Sequence, residues 1–348
     1  MVGFEGTEPS PDLRQFVHES PPLGVVLFGR NIESTEQVAS LVRQLRALWP
    51  KDEFPLIAID QEGGPVRRLK SPECPDFAAI PAMRAIGLKQ SVQTSYEAGR
   101  VTALQLAALG FNLNFAPVLD VDTNPDNPII NRRSFSRDPQ WVAKLGVACA
   151  QGLEDGGVLG CGKHFPGHGD TSVDSHLGLP SLPHSRNRLE TVEWPPFRAA
   201  IEADIPSLMS AHIVFETLDN TLPATLSPTV LPTILRTKMN YQGVLFSDDL
   251  EMAAIAEHFG WSEIAERGLQ ASIDVFLVCR HLQGARELRA ALVDCGNKSI
   301  SSASAMETSL ERNERLRRRA TDHASKPWNG VLPAQGEAMA LIESIESA

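Results

Sequence analysis

One pattern constrains this chain more than any other. Short apolar runs of strand length alternate with longer stretches of helical periodicity, almost from end to end. The strand-length runs are Val2–Glu5, Gly24–Phe28, Leu56–Asp60, Phe111–Pro117, Val158–Lys163, Ser207–His212, Gly243–Asp248 and Asp274–Cys279. Amphipathic stretches lie between them: Thr35–Arg46, Val92–Leu109, Trp141–Leu153, Thr191–Ala203, Ser227–Met239 and Trp261–Ala271. Several of these open on Ser, Thr or Pro in capping positions. Eight strands, each followed by a helix, predict an α/β protein built as one closed (β/α)8 TIM-type barrel. Length alone does not decide this, because barrels of about 250 residues or more fold as one unit. The repetition stops near Thr321, after a charged helix candidate at Met306–Arg319. Residues 1–325 are therefore expected to form the barrel, and 326–348 a Pro-punctuated tail that packs on it or trails from it.

A second regularity says where function sits. Nearly every strand ends in a polar or ionisable residue: Glu5, Arg30, Asp60, Asn114 with Asp120, Lys163-His164, His212, Asp248-Asp249 and Arg280. In a parallel barrel these ends share one face, and active sites are built there. The two longest loops, Pro117–Pro139 and Phe165–Pro183, are rich in Asp, Asn, Arg, His, Pro and Gly. Loops of that length inside a compact domain are usually functional.

Composition removes other classes. The net charge of −11 repels nucleic acid and anionic lipid, and no long basic run reverses it locally. No 18 apolar residues run together and the first residues lack a basic, apolar leader, so no membrane partner is expected. Five scattered cysteines without a C-x-x-C pair argue against a disulfide framework or structural zinc site. A cytoplasmic monomer with reduced thiols is expected.

Several motifs compete for the chemistry. The run Gly157–His164 contains G-x-x-x-x-G-K but lacks the following Ser/Thr, and Phe165-Pro166-Gly167 cannot open a helix at once, so a phosphate loop is rejected. His164, His168, Asp170, Asp174 and His176 are metal-ligand types within thirteen residues, which keeps a metal-dependent barrel hydrolase as an alternative. A lysine at a strand end, Lys163, also permits Schiff-base chemistry as in an aldolase, or a simple grip on hydroxyls. Ser247-Asp248-Asp249 closes a clean apolar strand, and strand alternation predicts that only one of the two aspartates faces the site. A carboxylate there and a proton donor across the cleft are what a retaining glycosidase needs.

Three motifs together resemble family 3 glycoside hydrolases: Asp60-Gln61-Glu62-Gly63-Gly64, the run Lys163–Gly169 continuing to Asp174-Ser175-His176, and Phe246–Met252. The likeness spans roughly residues 1 to 320 and is nearest to the family's single-domain bacterial β-N-acetylglucosaminidases of cell-wall recycling. The resemblance implies a retaining exo-β-N-acetylglucosaminidase that acts on N-acetylglucosamine-containing muropeptides without metal or cofactor. It implies that Asp248 is the nucleophile and that His176, supported by Asp174, is the acid/base. It further implies that Asp60, Arg68, Arg133, Lys163 and His164 bind the sugar. The chain has Pro65 where the family commonly has Arg after the paired glycines, which bears on the placement of Arg68.

Overall fold

The computed structural model describes residues 1–172, 178–322 and 330–347. Seven parallel strands run in the order β1 (Gly24–Leu27), β2 (Leu56–Ile59), β3 (Leu113–Asn114), β4 (Leu159–Phe165), β6 (Ser207–Ser210), β8 (Val244–Asp249) and β9 (Val275–Leu277). The eighth member is a single residue. Val2 bridges in parallel to Val25 on one side and to Val278 on the other, which closes the sheet into the (β/α)8 barrel. All eight expected strand positions are thus occupied, although the first shrinks to one bridge and the fourth to two residues. A small parallel pair joins β5 (Ser181–Leu182), inside the expected loop Phe165–Pro183, to β7 (Val214–Phe215), a segment assigned to no expected element.

Side-chain parity separates two layers. Val26, Leu56, Ala58, Leu113, Phe115, Leu159, Cys161, Met209, Val244, Phe246, Val275 and Leu277 form one cluster inside the barrel. Their chain neighbours Val25, Leu27, Ile57 and Ile59 belong to a cluster between strands and helices, and Leu245 to a second, separate one. This is period-2 alternation applied to a closed sheet, and it makes the interior a packed core, with Phe115 and Phe246 edge to face at 5.5 Å. β1 and β2 approach closely because Gly24 lacks a side chain: a Cβ there would fall 1.9 Å from the Leu56 carbonyl oxygen.

The helices start where capping chemistry puts them. Ser34, Ser91 and Asp138 accept from backbone N–H groups in the first turns of Thr35–Arg46, Val92–Leu109 and Pro139–Asp155. Val230–Lys238 winds as a wider π-type helix inside the expected Ser227–Met239 stretch. Ile300–Asp322 is longer than the expected Met306–Arg319. After it, Gln335–Glu346 forms another helix, whose Gln335 side chain donates to the Asp76 carbonyl at 3.0 Å and whose Glu337 pairs with Arg100. Leu332, Ala338 and Ile345 are buried. No helix of the described residues is long and apolar enough to cross a membrane.

Candidate active site

The polar strand ends converge as expected. A cavity of about 390 Å³ is lined by Asp60, Glu62, Arg68, Arg133, Lys163, His164, His168, Asp248 and Asp249, with Phe28, Arg30, Met252, Cys279 and Arg280 on its other side. Parity supplies the placement, since Asp60, Lys163 and Asp248 each lie two residues beyond an inward-facing core residue, respectively Ala58, Cys161 and Phe246.

One expectation needs correction, because both Asp248 and Asp249 line the cavity. The reason is a register shift between Phe246 and Asp249 on β8, matched by one between Gly162 and Phe165 on β4, where Lys163 and His164 likewise both reach the site. Alternation fails where the ladder is interrupted. Asp249 nevertheless spends one oxygen on structure, its Oδ1 accepting from the Glu251 and Cys279 backbone N–H groups at 3.1 and 3.2 Å. Burial pushes its carboxyl up to about 6.

Asp248 behaves oppositely. Burial alone would raise its pKa, yet the imidazoles of His164 and His212, the Asp249 N–H at 2.8 Å and Lys163 bring it below the usual carboxylate value. It is an ionised carboxylate on the floor of a cleft.

Across from it the charges interlock. Lys163 Nζ lies 2.9 Å from Asp60 Oδ1 and 2.7 Å from Glu62 Oε1, and Arg133 grips both Glu62 oxygens at 2.8 Å. Arg68 reaches Asp60 Oδ2 at 3.4 Å, so Pro65 does not displace it from the site. The turn is held by Gly63 and Gly64, at φ 105° and 54°, and by Gln61, whose Oε1 accepts from the Arg68 and Leu69 N–H groups at 2.8 and 3.1 Å. His164 Nδ1 is 2.7 Å from Asp120 Oδ2, and the same carboxylate accepts from the backbone N–H groups of His164 and His168.

Glu62 and Asp120 are site residues that the sequence reading did not assign. Glu62 stood inside a quoted motif and Asp120 among the polar strand ends, but neither had a partner in sequence that revealed its buried pairing. Desolvation works against the Lys163 ammonium, but Asp60 and Glu62 outweigh it and raise the pKa. An amine held protonated is the opposite of what Schiff-base formation requires, which weighs against the aldolase reading. Of the five metal-ligand candidates, His164 Nδ1 instead meets Asp120, His168 Nδ1 lies 2.9 Å from Thr171 Oγ1, and Asp170 is 3.0 Å from His184 and bonded to Thr123 at 2.9 Å. Asp174 and His176 lie outside the described residues.

Sequence and fold match a known family. Residues 4–316 match the model of the glycosyl hydrolase family 3 N-terminal domain. The chain belongs to glycosyl hydrolase family 3. Among relatives, β-hexosaminidase A of Pseudoalteromonas piscicida is 36% identical over 283 residues, covering 77% of this chain but 47% of that protein. The chain thus spans about half the length of that relative. The family 3 β-N-acetylglucosaminidase of Paenibacillus sp. FPU-7 superposes with TM-score 0.92 at 37% identity, over 99% of this chain and 66% of that one. NagZ of Neisseria gonorrhoeae superposes with TM-score 0.82 at 31% identity, over 100% and 98% of the two chains. The gonococcal protein has also been solved with N-trifluoroacetyl-D-glucosamine and with a zinc ion.

Proposed function

We propose that this protein is a retaining exo-β-N-acetylglucosaminidase that releases terminal non-reducing N-acetylglucosamine from muropeptide fragments of peptidoglycan. The observation that carries the reading is Asp248, a half-buried carboxylate kept ionised and facing a ring of hydrogen-bonding groups across the cleft. The likeness to β-hexosaminidases supports the substrate class. Asp60 accepts from sugar hydroxyls while Arg68, Arg133, Lys163 and His164 donate, and bonds with a charged partner are the stronger ones. The grip orients the anomeric carbon over Asp248, which attacks it. His176, oriented by Asp174, protonates the leaving oxygen; water, deprotonated by the same imidazole, then frees the sugar from Asp248. No cofactor enters these steps. The protein acts as a cytoplasmic monomer, a reading supported by five free cysteines, four of them buried.

A metal-dependent hydrolase using the 164–176 run is the second reading, favoured by the zinc complex of the gonococcal relative. Release of a chromophore from an aryl β-N-acetylglucosaminide separates the two. Undiminished rates with a chelator support the glycosidase, whereas activity lost to chelation and restored by zinc supports the metal enzyme.

A further inference from the structure

His212 is a buried polar strand end that the proposed steps leave unused, although its imidazole helps to keep Asp248 ionised. It stands two residues beyond β6. We infer that His212 is a positioning residue for the nucleophile: from β6 it holds the backbone of Asp249, and that backbone in turn holds the Asp248 carboxylate. The inference rests on the glycosidase reading and deepens it at the same site.

The strand end that carries Asp248 lacks a regular ladder on either side. Towards β6 the last parallel pair is Met209 with Phe246, two residues short of Asp248. Towards β9 the register shifts between Phe246 and Asp249. Side chains take over where the ladder stops. On the β9 side, Ser247 Oγ accepts from the Leu277 N–H at 2.9 Å and Asp249 Oδ1 from that of Cys279. On the β6 side, His212 Nε2 reaches the Asp249 carbonyl oxygen at 3.1 Å, an oxygen that also accepts from the Met252 N–H in the turn that follows. The Asp249 N–H then donates to Asp248 Oδ1 at 2.8 Å. One backbone unit thus joins the imidazole beyond one strand to the attacking carboxylate on the next.

The partners also fix the protons. A carbonyl oxygen only accepts, so Nε2 carries a hydrogen. Nδ1 lies 2.8 Å from Thr225 Oγ1, which is itself 3.0 Å from the Ala211 carbonyl oxygen and 2.9 Å from Ser210 Oγ. With the Thr225 proton on the Nδ1 side the ring is neutral. With that proton on the Ala211 carbonyl, Nδ1 can donate and the ring is cationic, and Ser210 can donate to Thr225 in either state. The bond to Asp249 persists through both. Thr225 is fully buried in the turn Ala224–Leu226, so the prop behind the ring is itself packed. Among the described residues, the titratable groups around Asp248 are Lys163, His164 and Cys161 from β4, His212 from beyond β6, Asp249 on β8 and Cys279 after β9, and burial keeps both cysteines as thiols.

The test compares His212→Ala and His212→Gln in the full chain, with two aryl β-N-acetylglucosaminides, one bearing an activated leaving group and one a poor one. Gln keeps an N–H donor at about the reach of Nε2 but takes up no proton. We expect His212→Ala to lower kcat/KM by about 10 to 10² for both substrates alike, because attack by Asp248 serves both. His212→Gln should recover most of that rate at neutral pH. In both variants the acid limb of kcat/KM should move to higher pH, since a neighbour that favours the carboxylate is gone. Binding of N-acetylglucosamine, gripped from the β2 and β4 side, should change by less than about twofold. A loss confined to the poor leaving group would place His212 behind the proton donor and overturn the inference. So would an unchanged kcat/KM in His212→Ala, no recovery in His212→Gln, an acid limb that stays in place, or weakened sugar binding. Should His212→Ala not fold, the acid limb of His212→Gln decides. A parent enzyme that releases neither aryl group overturns the glycosidase reading instead.

Discussion

At the residue scale the site is a set of buried charges whose neighbours decide their state. Asp248→Asn keeps the shape and removes the proposed nucleophile, so turnover should fall by about 10³ or more with the fold retained. Trapping with a fluorinated N-acetylglucosamine derivative and peptide mapping should label Asp248; a label elsewhere removes it from the role. An imidazole has a reference pKa of about 6.5 and needs little tuning to exchange protons at neutral pH, which suits the acid/base role proposed for His176. His176→Ala should therefore cost about 10² to 10⁴ for a poor leaving group and far less for an activated aryl glycoside. Equal losses, with glycosylation rate-limiting, would move the acid role to another group. His168 gives a stability signal instead. Burial, reinforced by His164, pushes its imidazole down to about 4, so the folded state holds it neutral. A lowered folded value means full stabilisation above the unfolded value near 6.5, declining as pH falls towards 4. The integrated loss is about 3 kcal/mol. Urea unfolding at pH 8 and at pH 4 should show that loss, and His168→Asn should flatten it; an unchanged slope in the variant means other groups carry it.

At the scale of the element, strand contacts leave almost no free space. Gly24→Ala would force a methyl group into the Leu56 carbonyl and should cost about 2 to 3 kcal/mol, read as a lower urea midpoint with unchanged slope. A midpoint equal to the parent's would mean that β1 can shift away from β2. This scale also shows what the sequence made legible. Apolar runs of period 2 are local, so the eight strand positions and helices such as Thr35–Arg46 were readable, with capping residues marking their starts. The polar strand ends were readable because one topology puts them on one face. Local pattern could not show that ladder interruptions in β4 and β8 bring both members of Lys163-His164 and Asp248-Asp249 to the cleft, since a register depends on the neighbouring strand. Nor could it show that Glu62 would pair with Lys163, 101 positions away in the chain, or that Asp120 would receive two backbone N–H groups. The short β5–β7 pair joins segments of two residues each, too short for periodicity to register.

At the scale of the whole molecule, we propose residues 1–325 as the catalytic barrel and 326–348 as its tail, whose described residues 330–347 brace it. Deleting residues 330–348 removes the buried side chains of Leu332, Ala338 and Ile345 and the Glu337–Arg100 pair. The remainder should stay folded, by circular dichroism, but lose about 5 kcal/mol of stability. Complete loss of cooperative unfolding would make the last helix an integral part of the barrel. The wall of that barrel has a further property that belongs to time more than to structure. Its seam is Val2, which bonds to strands at both ends of the chain, Val25 and Val278. Until the segment around Val278 has been synthesised, the segment around Val2 has no second neighbour, and the growing chain carries an open edge through most of the synthesis of residues 1–348. Closure then depends on a contact between residues 276 positions apart, the slowest kind to find. Refolding from denaturant is accordingly set to pass through an unclosed, edge-exposed sheet, and the last protection gained by backbone amides should be that of Gly3 and Val278.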